Sequence, residues 1–143
     1  MLGYYEGGKI VPCTKTYQGK EYFPTGDIGE MREGDLYLFD RKKRTIKIGG
    51  NNVFPKQTEE IALTLPTVLD AVAVRTTYQG KPAIKLLVVT EKALGQSFET
   101  ELKNRIEKGS SRYNVPRVVE RVKEIKKTAM GKNDYRYYEE QER

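Results

Sequence analysis

The sequence predicts an α+β chain: a small β-hairpin followed by a roughly three-stranded sheet flanked by helices. Three observations carry that reading. Two aliphatic runs, Ala71-Val72-Ala73-Val74 and Ile84-Lys85-Leu86-Leu87-Val88-Val89, have strand length, and Tyr78-Gln79-Gly80-Lys81 is a turn between them. Phe98, Leu102 and Ile106 recur four residues apart, a helical stripe. From Pro55 onward the order is helix, strand, strand, helix, strand, which brings both kinds of element to one core.

Each element has its own local cause. The first 35 residues are rich in Gly, Tyr and Thr, poor in aliphatics, and read as turns and short strands without a core of their own. Leu36-Tyr37-Leu38-Phe39-Asp40 and Thr45-Ile46-Lys47-Ile48 are expected to form a basic hairpin around Arg41-Lys42-Lys43-Arg44. Gly49-Gly50-Asn51-Asn52 is a loop by composition. Pro55 opens a helix in which Glu59 and Glu60 suit the macrodipole, Ile61 and Leu65 share the buried face, and Pro66 ends it. A second helix is expected after Ser97 as N-cap, Val118–Val122 as a third strand, and a weak, tyrosine-rich helix in the tail from Lys132 to Arg143. The sequence has no internal repeat and no low-complexity tract.

Composition narrows the chemistry. The 143 residues suffice for a real core but are few for an enzyme enclosing a large substrate. With no histidine there is no Ser-His-Asp triad, Cys-His pair or HExxH zinc site. The single Cys13 excludes a disulfide framework within the chain and a thiolate zinc cage. Chemistry must rest on lysine, arginine, carboxylates and backbone. Residues 1–42 carry a net charge of −1 and residues 43–143 a net charge of +7, so the overall +6 belongs to the later part. The run Leu86–Val89 is too short to span a bilayer, and the N-terminus lacks the basic and apolar regions of a secretory signal. A cytoplasmic protein is the expectation, which one cysteine suits.

Three motifs stand out together: Tyr22-Phe23-Pro24-Thr25-Gly26-Asp27; Asp40-Arg41-Lys42-Lys43-Arg44 running into Ile46-Lys47-Ile48-Gly49-Gly50-Asn51-Asn52-Val53-Phe54-Pro55; and Lys126-Lys127-Thr128-Ala129-Met130-Gly131-Lys132. With Gly3-Tyr4-Tyr5 upstream and Tyr113-Asn114-Val115-Pro116 between the last two, they resemble the C-terminal end of the adenylate-forming enzymes. These are the acyl- and aryl-CoA synthetases, luciferases and peptide-synthetase adenylation domains. The resemblance implies the mobile C-terminal domain of such an enzyme at 43–143, and at 1–42 the tail of its large N-terminal ATP- and acid-binding domain, ending at the hinge. It implies ATP/AMP and CoA as ligands, Mg2+ accompanying ATP with no ligand for it identified in this chain, and a small carboxylic acid substrate. The partners it implies are the missing N-terminal domain and a CoA or carrier-protein thiol. The family's phosphate loop and acyl pocket lie upstream of Gly3-Tyr4-Tyr5, so the chain alone is expected to be catalytically silent.

The resemblance also assigns residues, each with a physical reason and an ordinary alternative. Asp27 can present its carboxylate to a ribose diol, or can be a turn aspartate bonded to its own backbone. Arg41 has forked donors that suit ribose or phosphate, whereas Lys42 and Arg44 fit a solvated turn. Lys43 falls at the hinge, where an exposed polar residue can absorb a backbone change. Gly49 and Gly50 leave room for a pantetheine arm, or serve a tight turn of positive φ. Lys132 matches the lysine whose ammonium stabilises charge as the adenylate forms.

Departures bear on the substrate. Lys126 stands where the family usually has proline, Met130 replaces a small polar residue, and Gln57 stands at a common glutamate, as in phenylacetate-type ligases. Val53-Phe54-Pro55 looks like the CoA ligases rather than the peptide synthetases. The alternative from a different class is a small basic nucleic-acid-binding domain, with phosphate neutralised by the basic part and bases stacked on tyrosines. Against it, the cations are interleaved with acids and no RNP, KH or zinc-finger signature is present, so no nucleic acid is expected. A stand-alone regulatory module is a third reading if the reading frame begins at Met1.

Overall fold

The computed structural model describes residues 3–91 and 95–142; Met1 and Arg143, which enter the expectations above, lie outside the described residues. The chain divides into two compact units at Lys42/Lys43.

The first unit is a series of antiparallel hairpins. β1 (Tyr4–Glu6) pairs with β2 (Lys9–Val11), β3 (Lys15–Tyr17) with β4 (Lys20–Tyr22), and β5 (Asp27–Arg32) with β6 (Asp35–Arg41). Tyr5, Ile10, Tyr17, Met31, Leu36 and Leu38 are all exposed.

This pairing corrects the expected basic hairpin. The strand holding Leu36–Asp40 lies against β5, not against Thr45–Ile48. Lys42–Arg44 form a single 3₁₀ turn, and the next strand, β7 (Ile46–Ile48), pairs forward with β8 (Asn51–Val53). Gly49 and Gly50 take φ of 56° and 81°, the two-residue geometry that matches strand twist, so hairpin closure falls there. Asn51 and Asn52, read as loop, are therefore strand.

The second unit carries the core. Helix α1 (Pro55–Ala62) begins with Pro55 at its first turn, where a missing N–H costs nothing. It ends before Pro66; tighter bonds from Thr64 N to Ile61 O and Leu65 N to Ala62 O carry the chain into β9 (Val68–Tyr78). Leu65 is buried as expected, though beyond the helix, and Ile61 is half-buried. β9 turns through Gln79-Gly80 into the antiparallel β10 (Lys81–Thr90). Helix α2 (Gln96–Gly109) then crosses over to β11 (Val118–Arg121), which runs parallel to β10 at the sheet edge. The N-cap of α2 is Gly95, not Ser97; its carbonyl accepts from Phe98 and Glu99. Helix α3 (Tyr135–Gln141) closes the chain, capped by Asp134, whose carboxylate accepts from Tyr137 N.

Side chains of β9 and β10 alternate between two buried faces. Ala71, Ala73, Ile84, Leu86 and Val88 pack with Ala62, Leu102 and Ile106 of the first two helices and with Ile46 and Val53 of the β7/β8 hairpin. Val72, Val74 and Leu87 pack with Ile125 and with Tyr138 of α3. A strand covered on both sides has no polar face, which is why these segments read as continuous aliphatic runs.

Candidate functional site

In the first unit the structure brings Asp27 and Arg41 together. They are cross-strand partners at the start of β5 and end of β6. Arg41 Nε lies 2.9 Å from Asp27 Oδ1, and its Nη1 donates to Thr25 O at 3.0 Å. Thr25 Oγ1 accepts from Asp27 N at 3.2 Å, and Lys42 N donates to Gly26 O at 2.8 Å. The turn is thus satisfied by the threonine hydroxyl and backbone, leaving the Asp27 carboxylate to face the arginine rather than its own chain. The exposed pair presents a carboxylate oxygen and guanidinium N–H groups side by side, a set suited to a diol or a phosphate.

Lys43 is exposed in the 3₁₀ turn and is the first residue of the second unit. Its neighbour Arg44 is a different matter. Read from sequence as a solvated turn residue, its side chain is only 11% exposed and donates through Nη2 to Glu59 Oε1 at 2.6 Å. Glu59, expected to serve the helix dipole, is buried as well: its Oε1 also accepts from Ala73 N at 2.8 Å, and its Oε2 accepts from Tyr135 OH at 3.2 Å. The Arg44 guanidinium lies 3.7 Å from the centroid of the Tyr135 ring. Burial pushes the Glu59 pKa above its ordinary value, with Arg44, Ala73 N–H and Tyr135 pulling it back. Burial and the facing Glu59 also raise the Tyr135 pKa.

Gly49 and Gly50 form an exposed tight turn, so the positive-φ requirement is real at both. A Cβ on Gly49 would come within 3.4 Å of the Tyr113 ring. Tyr113 accepts from Arg112 Nη2 at 3.0 Å, which lowers its phenol pKa. Asn114, next in that signature, is buried and donates to Phe54 O at 3.2 Å and to Gln57 Oε1, while its carbonyl accepts from Thr58 Oγ1 at 2.9 Å. This signature therefore staples the segment after α2 onto the start of α1, and Gln57 supplies an acceptor where a glutamate is common.

Lys132 stands in a short loop closed by the bridge between Lys127 and Asn133. Inside it Thr128 N donates to Lys132 O at 2.7 Å and Gly131 N to Thr128 O at 2.9 Å, with Gly131 at φ 78°. Two ties fix the loop to the start of β9: Lys127 pairs with Asp70, and Asn133 Nδ2 donates to Ala71 O. The lysine is exposed, and among the described residues nothing hydrogen-bonds or pairs with its ammonium. An anchored backbone with an unengaged cation is what a group that must reach a reacting anion requires.

Residues 57–132 match the family model of the AMP-binding enzyme C-terminal domain. The chain belongs to this family. Among curated relatives, the 2-succinylbenzoate–CoA ligase of Staphylococcus epidermidis is 35% identical over 119 residues, covering 82% of this chain and 24% of the relative. That of Lactococcus lactis is 32% identical over 123 residues, covering 82% of this chain and 26% of the relative. The chain thus spans about a quarter of the length of the curated relatives it matches. Among solved structures, the amide bond synthetase of Marinactinospora thermotolerans superposes with TM-score 0.72 at 27% identity, over 83% of this chain and 24% of that one. The o-succinylbenzoate CoA synthetase of Bacillus subtilis, in complex with its acyl-adenylate intermediate, gives TM-score 0.72 at 22% identity, over 85% and 25% of the two chains, a likeness of fold. The α+β fold and the resemblance read from the motifs are those of the AMP-binding enzyme C-terminal domains. No helix among the described residues is long and apolar enough to cross a membrane.

The sequence reading did not single out Arg44, Glu59 or Tyr135 as a unit. A helix-entry glutamate and a basic run each look solvated, and only the fold shows that they face one another. The spacing of Glu59 three residues before Ala62, which puts it on the same helical face as an apolar side chain, is a signal the sequence carries.

Proposed function

We propose that this AMP-binding enzyme C-terminal domain is the C-terminal part of an ATP-dependent carboxylic acid ligase, of the acyl- or aryl-CoA synthetase type. That enzyme joins a carboxylic acid to AMP, releases pyrophosphate, and then passes the acyl group to a thiol, that of CoA. The observation that carries the reading is the family match reaching Lys132, a lysine held on an anchored loop with its ammonium unengaged among the described residues.

In this reading Lys132 bridges the carboxylate of the acid and the α-phosphate as charge builds on the transferring group. The Asp27 carboxylate accepts from the ribose hydroxyls of the nucleotide, and Arg41 holds it in place while offering its remaining N–H groups to ribose or phosphate. Lys43 is the pivot about which the domain turns between adenylate formation and thiol attack, a role supported by the division of the chain into two units beside it. The Gly49-Gly50 turn gives the pantetheine arm a wall without side chains. Residues 1–42, whose strands expose many apolar side chains, would complete the large N-terminal domain, which holds the acid, ATP and its Mg2+. Among the described residues no three His, Cys, Asp or Glu side chains cluster to hold a metal.

Several cations of the second unit, Arg44, Lys85, Lys103, Arg105 and Lys127 among them, pair with carboxylates. This interleaving of charge supports the ligase over a nucleic-acid-binding domain, whose binding rests on cations free to neutralise phosphate. The names of the curated relatives make 2-succinylbenzoate the first acid to try. The test is ATP–pyrophosphate exchange by the full-length enzyme over a panel of aryl and alkyl acids, followed by CoA or a carrier-protein thiol as acceptor. Exchange driven by one acid class is expected. Absence of exchange with every acid, together with tight, salt-steep binding to unrelated oligonucleotides, overturns the reading.

A further inference from the structure

Glu59 sits where three separate parts of the second unit converge. Through one buried carboxylate it binds Arg44, the residue after the pivot Lys43; Ala73, in the strand that anchors the lysine loop; and Tyr135, three residues beyond Lys132. The same strand holds that loop a few residues earlier, through Asp70 to Lys127 and Ala71 O to Asn133. Arg44 makes a second bond to the strand, to Ala73 O at 3.2 Å, and stacks on the ring of Tyr135. The pivot side and the lysine side are therefore joined by charge-assisted hydrogen bonds, short and directional, rather than by apolar packing alone. Apolar contacts tolerate small slips; a carboxylate shared by a guanidinium, an amide and a phenol does not.

We propose that Arg44, Glu59 and Tyr135 form a positioning clamp that fixes where Lys132 is presented relative to the pivot. This rests on Lys132 being the adenylation lysine. None of the three touches substrate. Their effect reaches the reaction through the loop that Tyr135 follows and β9 anchors. A displacement of about 1 Å at a reacting group can cost on the order of 100-fold in rate, so even a loosened clamp is measurable.

The mildest perturbation is Tyr135→Phe, which removes the hydroxyl donated to Glu59 and keeps the ring under Arg44; Glu59→Gln is the stronger companion. In the full-length enzyme, adenylate formation by Tyr135→Phe is expected to fall about tenfold, while thiol attack on supplied acyl-AMP stays within about twofold. The loss should vanish when Tyr135→Phe is introduced beside Lys132→Ala, because the clamp acts only through that lysine. Equal loss in both half-reactions, or an undiminished loss beside Lys132→Ala, overturns the proposal. Amide hydrogen exchange in this chain supplies the second readout. Exchange at Thr128 and Gly131, whose N–H groups close the lysine loop, should quicken in both variants ahead of exchange in β10. Unchanged protection there also overturns it. If Lys132→Ala leaves adenylation intact, it is the functional reading that fails, and the clamp then stands or falls on the exchange result alone.

Discussion

Replacing Arg44 by Met leaves the stem of the side chain and removes the charge facing Glu59. Glu59 would keep two donors, Ala73 N–H and Tyr135 OH, but its side chain is only 7% exposed, so water cannot replace the guanidinium. The cost has a ceiling because the carboxylate can protonate instead. Burial already raises its pKa, so at pH 7 it takes up a proton more readily than an ordinary carboxylate does. Loss of the stacking on Tyr135 adds about 0.5–1 kcal/mol. Breaking a buried pair by removing one partner costs about 3–5 kcal/mol, and protonation of Glu59 puts the expected loss at pH 7 at the low end of that range. The sign with pH follows from the raised pKa. The folded chain holds this proton more tightly than the unfolded chain, so the stability attached to it is full below pH 4.5 and declines as pH rises through the folded pKa. At pH 5 protonation is easier than at pH 7, so the gap between variant and parent should shrink. Urea unfolding at pH 7 and pH 5, followed by circular dichroism, measures both. A second change, Glu59→Gln, should recover part of the loss, because it removes the stranded charge and keeps an acceptor for Ala73 N–H or Tyr135 OH. A loss below about 1 kcal/mol at pH 7, or one independent of pH, would refute the argument that this pair is a buried, desolvated clamp.

Two further perturbations follow from the geometry. Glu142 lies between Thr76 Oγ1, at 2.5 Å, and Lys85 Nζ, at 2.7 Å; burial alone would raise its pKa, but the bonds from Lys85 and Thr76 win and hold it below 4.5. Lys85 is correspondingly raised above 10.5, chiefly by its bond to Glu142. The stability from Glu142 is thus present above pH 4.5 and lost as pH falls through its lowered pKa, while that from Lys85 is lost only as pH rises through its own. Glu142→Gln should flatten the acid side of a stability profile by about 1 kcal/mol, read from thermal melts between pH 3 and 7; an unchanged acid slope counts against the pairing. Lys43→Pro in the full-length enzyme should spare adenylate formation and slow acyl-CoA formation at least tenfold, since a fixed φ stiffens the pivot. Acyl-CoA made at the parental rate would remove Lys43 from that role.

The parts of the fold that were legible are those in which one local cause dominates. Gln79-Gly80 takes φ of 50° and 74°, and the aliphatic runs on either side leave no choice but antiparallel strands. Leu102 and Ile106 line one helical face, and both are fully buried. The parallel partner β11 was legible as a strand, but its pairing depends on where α2 delivers the chain. The basic hairpin failed because strand propensity does not name a partner. Asp27–Arg32, with a glycine and three charged side chains, is a weak strand by itself and forms because β6 needs an edge to pair with. For the candidate site, the motifs gave Asp27 and Arg41 as separate residues, and register brought them face to face. Arg44 and Glu59 were illegible for the reason that makes them interesting: buried charges look solvated until the fold encloses them.

On the proposed function, Lys132 serves the adenylation half-reaction and not the second one. The direct measurement is Lys132→Ala in the full-length enzyme, with pyrophosphate exchange and thiol attack on supplied acyl-AMP assayed separately. Exchange is expected to fall by at least about 100-fold while thioester formation from acyl-AMP stays within a few-fold of the parent. Equal loss in both, or undiminished exchange, would contradict it.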